Sequence, residues 1–300
     1  MYYIIYGLLY LISLLPFFIL YGISNFAYFI IYYVIGYRKK VVLSNLEIAF
    51  PEKTAVERNR ICKQFYKNLV DTFIETIKLL SISEKSFSKR VSMNFDEIHA
   101  LTAKGKNIQL HSGHQMNWEY AHWSVAKNIR LPWIGIYMKI SNKSINRLFL
   151  KIRLIGPTVL VAAQEFKSRG TDVFSNQYSL GLIGDQNPGN PQAGYWLNFF
   201  NRPVPFAAGP DKGAIKNNTA VVFVKFTKLK RGHYIFEPKI ITEAAGSLKN
   251  GELTLIYRDF LEASIREQPD NYLWSHRRWR WTWKAEYEKN WIDNVPAPTV

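Results

Sequence analysis

From Ile61 onward, apolar side chains recur at every fourth position: Ile61, Phe65, Leu69, Phe73 and Ile77. That is the spacing of one face of an α-helix. Thr54-Ala55-Val56-Glu57, just after Pro51, has the spacing of a capping box, so one long amphipathic helix is predicted over Ala55–Leu80. Beyond it, short apolar runs alternate with helical patterns. Strands are predicted at Val91–Phe95, Asn107–Leu110, Trp133–Tyr137 and Leu180–Gly184, then at Val221–Thr227 and Tyr234–Ile240 around the basic turn Lys228–Gly232. Helices are predicted at Asp96–Lys104, ended by Gly105, and at Trp118–Asn128, Ser141–Leu154 and Leu253–Glu267. This alternation predicts an α/β fold with a mixed, largely parallel central sheet flanked by helices. Sites in such sheets lie outside the carboxyl ends of the strands. His114 and Asp185 both follow strand ends, so they are expected to converge on one cleft.

The N-terminus breaks the pattern. Met1–Tyr37 contains no Lys, Arg, His, Asp or Glu, and it ends at Arg38-Lys39-Lys40. About 20 apolar residues suffice to cross a bilayer, and the basic flank predicts a cytoplasmic exit. A cleavable signal is not expected, because there is no charged leading region and no small-residue cleavage site. Pro16 either kinks one spanning helix or divides two interfacial half-helices. A buried core helix is the plain alternative, but soluble helices rarely lack charge over such a length. Residues 1–37 are therefore expected to form a hydrophobic membrane-anchor helix, and residues 38–300 one folded domain, since no linker, repeat or low-complexity segment divides them.

The formal charge of +16 falls entirely on residues 38–300. A basic domain beside a membrane anchor is expected to meet anionic lipid headgroups or an acidic protein. Nucleic acid is the electrostatic alternative, and the anchor argues against it. Cys62 is the only cysteine, which rules out an intrachain disulfide and a Cys-based metal site.

The densest chemistry lies in Asn107–Tyr120 (NIQLHSGHQMNWEY), where His114 and Glu119 stand five positions apart. On an ideal helix that step turns through about 500°, leaving the side chains roughly 140° apart. They meet only if His114 precedes the helix, at a corner that Gly113 permits. A neutral histidine held there by a carboxylate suits a general base acting on a hydroxyl. The plain alternative is a polar corner that satisfies its own hydrogen bonds. His111, at the strand end, is read as packing. His111, His114, Glu119 and Asp185 lack the helical i,i+4 spacing of a zinc motif, so no metal is expected. Asp185-Gln186-Asn187-Pro188-Gly189 is either an ordinary turn or a carboxylate that orients a substrate or a cation. Arg153, before Gly156-Pro157, is either a helix-terminal cation or a clamp on phosphate or thioester oxygen. Tyr272–Trp283 (YLWSHRRWRWTW) interleaves Arg277, Arg278 and Arg280 with tryptophans, suiting a membrane interface, single-stranded nucleic acid, or a tail that covers the core.

Taken in order, these residues resemble a known family. The apolar N-terminus, Asn45-Leu46, Ala49-Phe50-Pro51, His114-x4-Glu119 with Asn117-Trp118 inside it, Arg153 with Gly156, Asp185-Gln186-Asn187-Pro188-Gly189, Phe199-Phe200, and Pro269 with Tyr272–Arg278 resemble the late lipid A acyltransferases. This is the lauroyl/myristoyl-transferase group of the lysophospholipid acyltransferase superfamily. Gln115-Met116 and the Trp-rich tail after Arg278 depart from the pattern. The resemblance implies a glycerolipid acyltransferase-like fold at the cytoplasmic face of the inner membrane. It also implies acyl transfer from an acyl thioester, on acyl carrier protein, to a hydroxyl of a membrane lipid with an anionic headgroup, without metal or cofactor. His114 would be the base, and Glu119 would fix its tautomer. Arg153 or backbone amides would meet the oxyanion, and Asp185 would position Arg153 or the acceptor. Asn117, Trp118, Gln186, Arg277 and Arg278 would line the substrate site. Related enzymes act on other glycolipids, so the acceptor stays open at this level.

Overall fold

A computed structural model describes residues 1–166 and 174–299. Its centre is a seven-stranded sheet in the order β1-β9-β8-β2-β5-β3-β4. The strands are β1 (Val91–Met93), β2 (Ile108–Ser112), β3 (Trp133–Tyr137), β4 (Thr158–Ala162), β5 (Ser179–Ile183), β8 (Ala220–Lys230) and β9 (His233–Thr242). Every neighbouring pair is parallel except the β8–β9 hairpin, which makes this the mixed, largely parallel sheet that the alternation predicts. Its central strands are covered on both faces, as parallel strands must be. Along β8, Val221 and Phe223 join one buried cluster, while Val222 and Val224 join the other.

Helices follow the sequence closely where their periodicity is strong. The long helix α4 spans Ala55–Lys78, and both halves of the Thr54/Glu57 capping box form. Helix α6 covers Asp96–Ala103 and α7 covers Trp118–Asn128, while α8 covers Lys143–Arg153 and a C-terminal helix covers Glu252–Glu267. Several features escape the pattern, among them the helices Lys39–Ala49 and Glu84–Ser88. β4 (TVLVA) is a short apolar edge strand without clear alternation. β6 (Gly194–Phe199) and β7 (Arg202–Ala207) form a separate two-stranded hairpin. Pro203 and Pro205 within β7 argue against a strand in sequence, and they are tolerated because this sheet has only two strands. Helix Gly209–Lys216 opens with Gly-Pro and is too short to show a stripe.

The N-terminal segment is two helices rather than one. Helix α1 (Tyr2–Leu14) ends before Pro16, which begins α2 (Phe17–Phe29), continued by a π-helical stretch over Ile30–Ile35. Phe17–Ile35, 19 residues long, has the length and composition to cross a membrane. Neither helix stands apart from the domain: α1 packs on α4 and α8, and α2 packs on α4. Lys78 donates to the carbonyls of Ser13 (2.6 Å) and Leu15 (3.0 Å), closing the carboxyl end of α1. Arg147 and Lys151 lie 4.1 and 4.2 Å from the ring centres of Tyr2 and Tyr6. The opposite faces stay apolar and exposed, through Ile4, Leu8 and Leu11 on α1 and Phe18, Phe26 and Phe29 on α2.

Candidate active site

Strands β2 and β5 are adjacent and parallel, with Ser112 opposite Ile183. Two residues beyond each stand His114 and Asp185, so the same offset from a shared register brings them together. His114 Nδ1 lies 2.6 Å from Asp185 Oδ1, and the His114 amide donates to Asp185 Oδ2 at 3.0 Å. The two bonds fix both ring and backbone. With Nδ1 facing a carboxylate, the ring carries its proton there and presents Nε2 as the free base. Asp185 is fully buried, which by itself raises a carboxyl pKa. The adjacent His114 ring and the hydrogen bonds from His114 and Tyr272 outweigh that effect and hold Asp185 below its ordinary value. About a fifth of the His114 side chain remains exposed, so its base is reachable.

This pairing corrects the expected roles. The carboxylate against His114 is Asp185 and not Glu119. Glu119 sits in the first turn of α7 and is gripped by Arg153 from the end of α8, with Nε 3.1 and 3.0 Å from its two oxygens and Nη2 2.5 Å from Oε1. Arg153 is therefore positioned by Glu119 and not by Asp185. Trp118 adds an indole N–H to Glu119 at 3.2 Å and stands edge-on to His114, ring centres 5.9 Å apart.

Two other expected substrate contacts are buried. Asn117 is the N-cap of α7, accepting from the amides of Glu119 and Tyr120, and it donates to buried Glu75 at 2.9 Å. Glu75 also accepts from Tyr234 (2.8 Å) and from Tyr21 of α2 (3.0 Å), so one carboxylate ties α2, α4, β9 and the corner after β2 together. Burial, only partly offset by Lys228 and these donors, raises its pKa. Arg278 is 1% exposed, donates to Asn187 Oδ1 and the Pro205 carbonyl, and lies over the Phe206 ring. Gln186 is half-buried beside Asp185, and Arg277 is exposed. His111 packs as expected: it is buried against Phe223 and Tyr257, bonded to the Gln109 amide, and burial pushes its imidazole down to about 3. Gly113 serves close packing, since a Cβ there would lie 2.5 Å from Leu261 Cδ1.

The corner is clamped by the C-terminal segment. Met116 N–H donates to the Asn271 carbonyl and Leu273 N–H to the His114 carbonyl, both at 3.0 Å. Asn187 completes the clamp with its amide N–H on His276 Nε2 (3.2 Å) and its side-chain N–H on the Arg277 carbonyl (2.7 Å). A cleft of about 610 Å³ opens here, lined by Arg38, Asn187, His276, Arg277, Arg280 and Trp281. His276 lies close enough to feel the charges of Asp185 and His114, and burial, with Arg278, lowers its imidazole to about 4. Residues 1–281 match the profile of bacterial lipid A biosynthesis acyltransferases.

The chain belongs to that family. Comparison with curated proteins gives no significant match. This lipid A-type acyltransferase thus carries its histidine and two carboxylates in two coupled pairs, His114–Asp185 and Glu119–Arg153, at the carboxyl ends of the central strands. Asn187, Tyr272 and His276 also gather at this corner, and sequence reasoning gave them no role of their own although all three stood inside the motifs it singled out. His276 stood inside the quoted Tyr272–Arg278 motif, but only the packed structure puts it beside His114.

Proposed function

We propose that this protein transfers a fatty acyl chain from an acyl thioester on acyl carrier protein to a hydroxyl of a lipid A precursor at the inner membrane. The observation that carries the reading is the 2.6 Å contact between His114 Nδ1 and Asp185, with Nε2 free of any hydrogen bond among the described residues. Nε2 takes the proton of the acceptor hydroxyl as its oxygen attacks the thioester carbonyl. Asp185 holds the tautomer and stabilises the imidazolium. When the tetrahedral intermediate collapses, the C–S bond breaks and the thiolate takes the proton back from His114, which leaves an ester and a free thiol. General-base help of this kind contributes roughly 10²–10⁴-fold.

Glu119 aims Arg153, whose Nη1 makes no hydrogen bond among the described residues and is available to the oxyanion or to a substrate phosphate. Arg38, Arg277 and Arg280 give the adjacent cleft the charge to hold a phosphorylated sugar, and the net charge of +16 favours an acidic carrier protein. The exposed apolar faces of α1 and α2 support a site beside a bilayer, and the basic flank Arg38-Lys39-Lys40 supports a cytoplasmic side for the domain.

Mass spectrometry of lipid A from cells carrying the wild-type gene, a deletion, or His114→Ala tests this. Both altered strains are expected to lack one acyl chain. Unchanged lipid A with a different glycolipid losing an acyl group would reassign the acceptor. No lipid change in either strain would overturn the reading.

A further inference from the structure

A second basic pocket, about 420 Å³, shares no lining residue with the cleft at His276 and lies between α2, α4, the β8–β9 turn and the Gln268–Asn271 segment. Its cations are Lys67 of α4, Lys228 and Lys230 of β8, and Arg231 of the turn, set against two carboxylates, Asp71 and Asp270. Both carboxylates are occupied from within. Asp71 takes Arg231 at 2.6 and 2.9 Å and the Ser24 hydroxyl at 2.5 Å, and Asp270 takes the Asn68 amide at 2.9 Å. Lys67 and Lys230 are exposed and make no ion pair with the described residues. Lys228 is largely buried and points at the Asn68 amide oxygen at 2.7 Å. Desolvation lowers its pKa, which an arriving anion would reverse.

The wall supplied by α2 says what kind of anion suits the pocket. Ser24 and Asn25 are polar residues inside a segment with no charged residue, and both are spent on this site, with Asn25 accepting from Arg231 at 2.9 Å. Their neighbours Ile23, Phe26 and Phe29 are exposed. A ligand with phosphate in the pocket and acyl chains against those side chains satisfies both surfaces at once. We propose that this pocket binds the phosphate of an anionic membrane phospholipid and so seats the enzyme on the bilayer at a point separate from its catalytic cleft. The chemistry shared with free phosphate is a tetrahedral oxyanion met by lysine and arginine donors.

The test uses the full chain. Three forms are compared by co-flotation with pure phosphatidylcholine vesicles and with vesicles doped with phosphatidylglycerol: wild type, Lys67→Ala/Lys230→Ala, and Lys216→Ala/Lys249→Ala. The last pair removes the same charge near the start of β8, roughly 30 Å from the pocket along its eleven residues. The pocket pair is expected to lose about 10- to 30-fold in affinity for the doped vesicles, with pure phosphatidylcholine unaffected and the remote pair losing far less. Equal losses in both pairs would reduce the effect to general basicity and overturn the proposal, as would no loss. Thermal unfolding with inorganic phosphate, against chloride at matched ionic strength, separates the sources. Stabilisation by phosphate that the pocket pair abolishes, with vesicle binding unchanged, would assign the site to free phosphate and overturn the lipid. Unchanged melting temperatures in phosphate-free buffer show that the variants fold. None of these readouts uses acyl transfer, so they stand or fall apart from the His114 chemistry.

Discussion

At the scale of single residues, the exchange of partners between the two carboxylates has a kinetic consequence. Asp185→Asn removes the acceptor that fixes the His114 tautomer while leaving Arg153 in place, so kcat should fall by about 10²–10⁴-fold with KM nearly unchanged. Glu119→Gln loosens Arg153 instead, and should raise KM more than it lowers kcat. Steady-state kinetics on both variants checks this, and a Glu119→Gln loss confined to kcat would sink it. His111 offers a test of stability. Its folded imidazole lies at about 3 against an ordinary 6.5, so between those values the unfolded chain binds a proton that the folded one does not. Its contribution is therefore complete above about pH 6.5 and is lost as pH falls towards 3. Urea unfolding at neutral and mildly acidic pH should show a shallower pH slope for His111→Gln than for wild type, and identical slopes would refute it.

At the scale of elements, Asn117 joins a helix start to a buried carboxylate. Asn117→Ala deletes the cap of α7 and takes a donor from Glu75, which together should cost about 2–4 kcal/mol. A thermal melt that barely moves would show that water or Tyr234 compensates. The elements also show why parts of the chain were legible and others were not. α4 announces itself because its stripe runs unbroken from Ile61 to Ile77 within a helix of 24 residues that opens on a side-chain cap. α7 and β3 have the predicted bounds, set by the Asn117 cap and by Pro132 just ahead of Trp133. The β6–β7 hairpin was invisible because its turn, Phe200-Asn201, uses two left-handed residues (φ 51 and 56) without the glycine that usually marks such a turn, and its second strand carries two prolines.

At the scale of the molecule, α1 and α2 lie along the domain with one face docked and one face apolar. Replacing Phe18, Phe26 and Phe29, all more than half exposed, with serine should therefore reduce vesicle flotation strongly while far-UV circular dichroism stays unchanged. Undiminished flotation would place the membrane contact elsewhere. The same architecture explains Tyr272–Trp283. Trp274 and Arg278 face the interior, while Arg277 and Arg280 face the cleft, so one basic aromatic stretch serves the core and the site together.

What the sequence determined by itself was local or periodic: the helices with a clear stripe or cap, the strands that lead to His114 and Asp185, the charge-free N-terminus, and the order of motifs that marks the family. Each of these is set by neighbours a few positions away, through side-chain period, caps and turn residues. Tertiary structure alone decided which carboxylate serves His114. Glu119 is five positions distant but turned away by its helix, whereas Asp185 is 71 positions distant and opposite it because β2 and β5 are paired in parallel. The tie through Glu75 from Tyr21 to Asn117 was likewise beyond sequence reading, because buried hydrogen bonds depend on which surfaces meet and not on spacing along the chain.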